Sequence, residues 1–331
     1  MNDRLDIAPD IAIVGAGAWG TALAVLYAGL GAEPGRRTVL VARDATRAEA
    51  LRRTRTNPRL PGIAFPEGLT ITATPPEAGI TLLCPPFQHL RETIARLPKG
   101  VSPLVLCCKG VEQASLRLAP EIAAESAPDR PSALLTGPNF AHEIAAGLPA
   151  ASVLATADVV LRRTLVEALA APKFRLYGSA DIVGAALGGA AKNVIAIAAG
   201  AVIGAGLGEN ARAGLITRGL AEIGRLAAAL GGSAETVAGL AGLGDLILTA
   251  TGGASRNYRA GLALGRGNHE FDPESGVIEG IATAPALLAR ARTVNCEMPV
   301  TEAVCDLLSG RATLADSMAR LLRRDLKDET G

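Results

Sequence analysis

Between Ile182 and Gly208 the chain runs for 27 residues with only two polar side chains, Lys192 and Asn193, among Ala, Gly, Ile, Val and Leu. A segment this apolar has to be buried. An ammonium group carried into such surroundings is costly unless it is paired or gives up its proton. The chain's habits sharpen the point, because 28 arginines stand against five lysines. Arginine cannot release its proton in a protein, whereas a shielded lysine can. The alternative is a snorkelling lysine whose stem packs while its amine reaches water. The run is long enough to be taken for a membrane span, but seven glycines and a central lysine point to a helix packed tightly inside a helical domain.

At 331 residues the chain exceeds one ordinary core, so two domains are expected. Short β-branched runs alternate with helical stretches through the first 180 residues, the pattern of a parallel sheet covered by helices. Strands are read at Ile11–Val14, Thr38–Ala42, Thr70–Thr72, Ile80–Cys84, Leu104–Cys108, Ala133–Thr136, Ser152–Ala155 and Phe174–Tyr177. From about Asp181 long Ala/Leu segments with helical spacing take over, such as Ile216–Leu230 and Pro285–Arg292. The reading is therefore an α/β Rossmann-type domain over 1–180 followed by an all-α domain over 181–331.

Several classes are set aside by composition. A net charge of +1 from interspersed signs and only 3% aromatic residues offer no nucleic-acid surface. The histidines, His89, His142 and His269, lack ligand spacing, so no metal site is expected. Five cysteines without a CxxC spacing read as core residues in a reducing cytosol. The first ten residues are acidic and polar, unlike a signal peptide, and a cytoplasmic location without a transmembrane segment is expected. Disorder is expected only at the two termini.

Gly15, Gly17 and Gly20 form a GxGxxG that follows one strand and opens an apolar helix over Thr21–Leu30, which makes the motif meaningful for a dinucleotide. A structural glycine turn is the alternative. After the second strand, Arg43 replaces the acid that would grip a ribose 2′-hydroxyl and suits a 2′-phosphate; Asp44 follows, so both NADP(H) and NAD(H) stay open. Lys109 and the Gly137-Pro138-Asn139 turn lie just after strands, where open α/β sheets bind ligands. In the helical half, Asp245 and Thr249 stand four apart, and a carboxylate in that apolar run needs a cation such as Lys192. Ser255-Arg256-Asn257 is a compact donor cluster suited to a phosphate, or a polar turn.

Ten motifs in order resemble the bacterial-type NAD(P)-dependent glycerol-3-phosphate dehydrogenases. They include GAGAWGTAL from Gly15, NPRLPG from Asn57, CKGVE from Cys108, GPNFAHEIAAGLP from Gly137 and LGGAAKNVIAIAAG from Leu187. NARAGLITRGLAE from Asn210, AGLGDLILT from Ala241, SRN from Ser255, VIEG from Val277 and EMPVTEAV from Glu297 complete them. The resemblance implies reversible reduction of dihydroxyacetone phosphate to sn-glycerol 3-phosphate by a homodimer, in the service of phospholipid synthesis. It implies that Lys192 moves the proton while Asp245 and Thr249 orient it. Substrate contacts would come from Lys109, Gly137, Asn139, Lys192, Asp245, Ser255, Arg256 and Asn257. Cofactor contacts would come from Ala18, Trp19, Arg43, Lys109, Ala141, Arg256, Val277 and Glu279, with the three glycines. Asn139 stands where the family usually has Ser or Thr, and Leu83-Cys84-Pro85-Pro86-Phe87 replaces the usual Val-Pro-Ser. Another β-hydroxyacid dehydrogenase of the same plan, or a non-catalytic NADP(H)-binding sensor, would share the glycine loop.

Overall fold

A computed structural model describes residues 10–29, 37–268 and 276–323. His269 and the outermost residues of both termini lie outside the described residues. The chain divides into two compact units, 1–109 with 117–186, and 110–116 with 187–331. The sequence reading puts the boundary at 180. The division falls instead between Ala186 and Leu187, and the short segment Gly110–Leu116 goes with the second unit.

The first unit is built on β1 (Ile11–Val14), β2 (Thr38–Val41), β5 (Thr70–Thr72), β6 (Ile80–Leu83), β7 (Leu104–Leu106), β8 (Ser132–Thr136), β9 (Ala150–Ala155) and β10 (Phe174–Ser179). They form one sheet in the order β10-β9-β8-β7-β6-β1-β2-β5. Every residue of β1 and β2 is buried, as strands covered on both faces require. A hairpin of β3 (Thr56–Asn57) and β4 (Leu60–Ala64), absent from the sequence reading, lies outside that sheet. Its strands are too short and too exposed to show an alternating pattern. The helices are α1 (Ala18–Gly29), α2 (Ala45–Thr54), α3 (Leu90–Ala95), α4 (Ala119–Ser126), α5 (Ala141–Ala145) and α6 (Val159–Leu169).

One expectation needs correction. The sheet is not wholly parallel, because β9 runs antiparallel to β8 and parallel to β10. Apolar patterning identifies a strand without fixing its direction. A parallel return needs a long crossover, and the five-residue α5 between β8 and β9 packs on α1 instead.

In the second unit lie most of α7 (Ile182–Gly204) and α8 (Gly208–Ala229), α9 (Ala234–Ala238), α10 (Asp245–Ala250), α11 (Arg256–Gly265), α12 (Glu279–Arg292), α13 (Pro299–Leu308) and α14 (Leu314–Leu322). By length and composition α7 could cross a membrane, yet 89% of its most apolar stretch is buried within the protein. The glycines explain that packing. A Cβ on Gly200 or Gly204 would lie 2.1 Å and 2.3 Å from the carbonyl oxygens of Tyr258 and Leu262 on α11. Reciprocally, a Cβ on Gly261 or Gly265 of α11 would strike the Ile197 and Ala201 carbonyl oxygens at 2.0 Å and 2.1 Å. Two helices with small residues at matching spacing thus meet backbone to backbone, and any side chain at these positions forces them apart.

Glu222 on α8 ties in a third helix. It is fully buried and accepts from Val300 N at 2.9 Å, Thr301 N at 3.0 Å and Thr301 Oγ1 at 2.7 Å, filling donors that the start of α13 leaves unpaired. Burial still raises its carboxyl above the ordinary value. No disulfide occurs among the described residues: Cys107, Cys108 and Cys305 are buried, Cys84 and Cys296 partly so, and burial raises the Cys305 thiol to about 11.

Candidate active site

The glycine loop sits where the strand order reverses, between the carboxyl ends of β1 and β6. Gly15 has φ +117°, and a Cβ there would meet the Cys84 carbonyl oxygen at 2.6 Å. At Gly20 a Cβ would overlap the Gly15 carbonyl oxygen at 2.0 Å, so α1 can start this close to β1 only with glycine. Gly17 differs from both, since a Cβ there meets nothing within 4 Å. Its backbone faces open space at the start of the 12-residue α1, whose first amides are a ready anion site. Ala18 and Trp19 form the first turn of α1 and rest partly buried on the core, as does Ala141 at the start of α5.

Beyond β7 and β8 the structure brings together Lys109, Gly137 and Asn139. Lys109 Nζ donates to the Gly137 carbonyl oxygen at 3.2 Å. Asn139 Nδ2 donates to Ser152 Oγ at 2.6 Å. That leaves Asn139 Oδ1 buried with no partner, like Thr136 Oγ1 beside the same turn. Orphaned polar atoms of this kind cost stability and point to a ligand or water that satisfies them.

In the second unit, Lys192 is buried in the middle of α7. Its Nζ is hydrogen-bonded and ion-paired to Asp245 Oδ1 and donates to Thr249 Oγ1 at 2.9 Å. Thr249 in turn donates to the Asp245 carbonyl oxygen at 2.6 Å, which turns its lone pairs toward the amine. The approach is set by Gly188, four residues before Lys192: a Cβ there would lie 2.7 Å from the carbonyl oxygen of Ala241. A π-helical turn over Leu240–Gly244 then delivers the buried Asp245 into the first turn of α10. Such turns recur at functional sites.

The Ser255-Arg256-Asn257 cluster opens α11, and its three side chains have different surroundings. Ser255 is the N-cap, accepting from Tyr258 N at 3.2 Å. Asn257 is buried, donating to Asn193 Oδ1 at 2.9 Å and accepting from Gly280 N at 2.9 Å. Arg256 is exposed, and a Cβ on Gly276 would lie 2.9 Å from its Nη1. Arg256 therefore borders the segment that carries exposed Val277 and Glu279, the first residue of α12. Asn193, which composition marks only as a polar neighbour of Lys192, is thus the link from α7 to the starts of α11 and α12. Its signal in the sequence was its isolation in an apolar run.

Residues 10–161 match the N-terminal domain and residues 181–319 the C-terminal domain of NAD-dependent glycerol-3-phosphate dehydrogenase. The chain belongs to this family. A protein of Acidiphilium cryptum named glycerol-3-phosphate dehydrogenase, NAD(P)+, is 72% identical over 97% of this chain and 98% of its own. A Gluconobacter oxydans protein of the same name is 51% identical over 96% and 97%. The crystal structure of glycerol-3-phosphate dehydrogenase from Coxiella burnetii superposes with a TM-score of 0.88 at 36% identity, covering 96% of this chain and 99% of that one.

For a glycerol-3-phosphate dehydrogenase family member the cofactor is NAD(P)(H), and the residues present fit it. The open face of Gly17 is the space that a pyrophosphate needs against the backbone, and a side chain there would fill it. Among the described residues no group of His, Cys, Asp and Glu could hold a metal ion.

Proposed function

We propose that this protein catalyses the reversible, NAD(P)-dependent reduction of dihydroxyacetone phosphate to sn-glycerol 3-phosphate, supplying the glycerol backbone of phospholipids. The observation that carries the reading is the buried lysine amine held between Asp245 and Thr249. When bound, NAD(P)H supplies the hydride. Lys192 Nζ gives a proton to the carbonyl oxygen as that oxygen takes up negative charge, and takes it back in the oxidative direction. Asp245 and Thr249 fix the amine, so that little reorganisation is needed at the moment of transfer.

Lys109, Gly137 and Asn139 are assigned to the substrate, where the orphaned Asn139 Oδ1 can accept from a substrate hydroxyl. Arg256, at the amino end of α11 with Ser255 and Asn257, holds the phosphate and turns remote binding energy into orientation at the carbonyl. The glycine loop, Ala18, Trp19, Arg43, Lys109, Ala141, Arg256, Val277 and Glu279 hold the cofactor. A cytoplasmic homodimer completes the proposal; cysteines that form no disulfide among the described residues are in keeping with that compartment.

The deciding assay follows NADPH and NADH oxidation with dihydroxyacetone phosphate and with unphosphorylated dihydroxyacetone. Arg256→Ala should raise cofactor KM in part and, at saturating cofactor, raise KM for the phosphorylated substrate strongly while hardly changing turnover of the other, since the smaller ketone lacks the group that the guanidinium reads. Equal losses on both substrates at saturating cofactor would remove Arg256 from phosphate recognition, and a wild type that turns over the unphosphorylated ketone as well as the phosphorylated one would overturn the substrate assignment.

A further inference from the structure

The turn after β8 is tied down at two points. Lys109 Nζ holds the Gly137 carbonyl oxygen at 3.2 Å. The second tie comes from β9, whose antiparallel direction decides what it brings. Thr136 at the end of β8 is paired with Val153, so Ser152, the residue before Val153 on β9, comes to lie against the turn. A Cβ on Gly137 would sit 3.0 Å from the Ser152 Cα and 3.3 Å from its Oγ, so the turn rests directly on this residue.

Ser152 is completely buried, and on its other side its strand is paired to β10, opposite Leu176. A hydroxyl taken out of water is unfavourable unless a polar partner receives it. That partner is Asn139, whose Nδ2 donates to Ser152 Oγ at 2.6 Å.

Asn139 stands where the family usually has Ser or Thr. A hydroxyl at that position can turn to donate or to accept, whereas a carboxamide has a donor end and an acceptor end, and what it offers depends on which way it is turned. With Nδ2 engaged by Ser152, the donor end is spent, and Oδ1 is left without a partner among the described residues. Asn139 does not make that choice alone. It is made by a buried hydroxyl 13 positions further along the chain, delivered by the next strand.

We propose that Ser152 is a positioning residue for the reaction: it holds the Asn139 carboxamide with Oδ1 presented to the substrate, where it accepts a hydrogen bond from the free hydroxymethyl group of dihydroxyacetone phosphate. Asn139 and Ser152 thus act as a pair in place of the family's single hydroxyl. The inference rests on the assignment of Asn139 to the substrate made above and adds the residue that sets the polarity of that contact.

The test measures KM and kcat at saturating cofactor for dihydroxyacetone phosphate and for its deoxy analogue, in which the free hydroxymethyl group is a methyl. Ser152→Ala should raise KM for dihydroxyacetone phosphate by roughly three- to tenfold, the range of one hydrogen bond. KM for the deoxy analogue should move by less than about twofold, since it lacks the hydroxyl being read, and cofactor KM should stay close to normal. Ser152→Thr, which keeps the hydroxyl, should return KM toward the wild-type value. The deciding comparison is a double variant. In an Asn139→Ser background no carboxamide remains to be turned, so adding Ser152→Ala should change KM for dihydroxyacetone phosphate by less than about twofold. A Ser152 that only supports the fold would weaken both ketones alike and would act as strongly in either background. Either of those results, or an unchanged KM in Ser152→Ala, overturns the proposal. Should Ser152→Ala fail to fold, Ser152→Cys, of similar size but a weak acceptor, carries the same comparison. A wild type inactive on dihydroxyacetone phosphate sinks the reaction itself, whereas an active wild type with an insensitive Ser152→Ala sinks only the pairing.

Discussion

The two units handle charge in opposite ways. Beside the glycine loop, the Arg43–Asp44 pair has side chains 80% and 45% exposed, and its neighbours are further arginines. In the helical unit, the Lys192–Asp245 pair has side chains 11% and 1% exposed and is closed in by α7, the π-turn and α10. Exposed pairs are screened and contribute little to stability, so their members remain available to an incoming anion. A buried pair is different: neither partner can be removed without stranding the other in an apolar interior. The exposed charges can therefore be changed one at a time, whereas the Lys192–Asp245 centre stands or falls as a unit.

The sharpest way to break this comparison is Asp245→Asn. Removing the charge that faces Lys192 should cost about 3 kcal/mol in unfolding free energy, the scale for stranding one partner of a buried pair. An unchanged denaturant midpoint would mean that the pair does not hold these helices. Next in size is Lys192→Ala, for which kcat should fall by at least about a hundredfold while cofactor affinity stays close to normal. Lys192→Arg should be almost as inactive, since arginine keeps the charge without exchanging the proton, and near-normal turnover in either variant removes the lysine from the chemistry.

Glu222 offers a buried charge with hydrogen bonds in place of a salt bridge. Its folded-state carboxyl is raised above the ordinary 4.5, chiefly by burial, so the folded protein holds this proton more tightly than the unfolded chain does. Its contribution is complete below that ordinary value and is lost as pH rises through the raised folded value. Glu222→Gln should flatten the stability profile across that window, and superimposable wild-type and variant slopes would refute the linkage. The smallest effect belongs to the surface. Glu49→Ala, which breaks an exposed pair with Arg52 along α2, should change stability by less than about 0.5 kcal/mol.

Much of the fold was legible because its signals are local. The strand Ile11–Val14, the glycines after it and the apolar helix that follows declare a dinucleotide loop within about twenty residues. The small residues of α7 gave the tight helix packing in the same way. The antiparallel β9 was not legible, because apolar alternation carries no direction, and the β3–β4 hairpin was not, because two-residue and five-residue exposed strands show no period. Within the candidate site, residue types were readable but their engagements were not. Ser255 and Asn257 look equivalent to Arg256 as donors in a row, yet one caps a helix and the other is bonded to Asn193 and Gly280.

By itself the sequence determined which chemistry the chain can carry: a glycine loop for a dinucleotide, a lysine where apolar neighbours demand a partner, and a carboxylate and a hydroxyl four residues apart to provide one. Tertiary structure decided which atoms meet. Lys192 and Asp245 are 53 positions apart, and no local pattern specifies that a π-turn and a bare Gly188 bring them into one hydrogen bond. Tertiary structure also decided that Asp44 is bound by Arg43 and its own helix, and that Asn57 gathers Arg47 and the backbone of Arg59 at one oxygen. The reason is physical. Propensity and periodicity depend on neighbours along the chain, whereas burial, desolvation and the use of each donor and acceptor depend on neighbours in space.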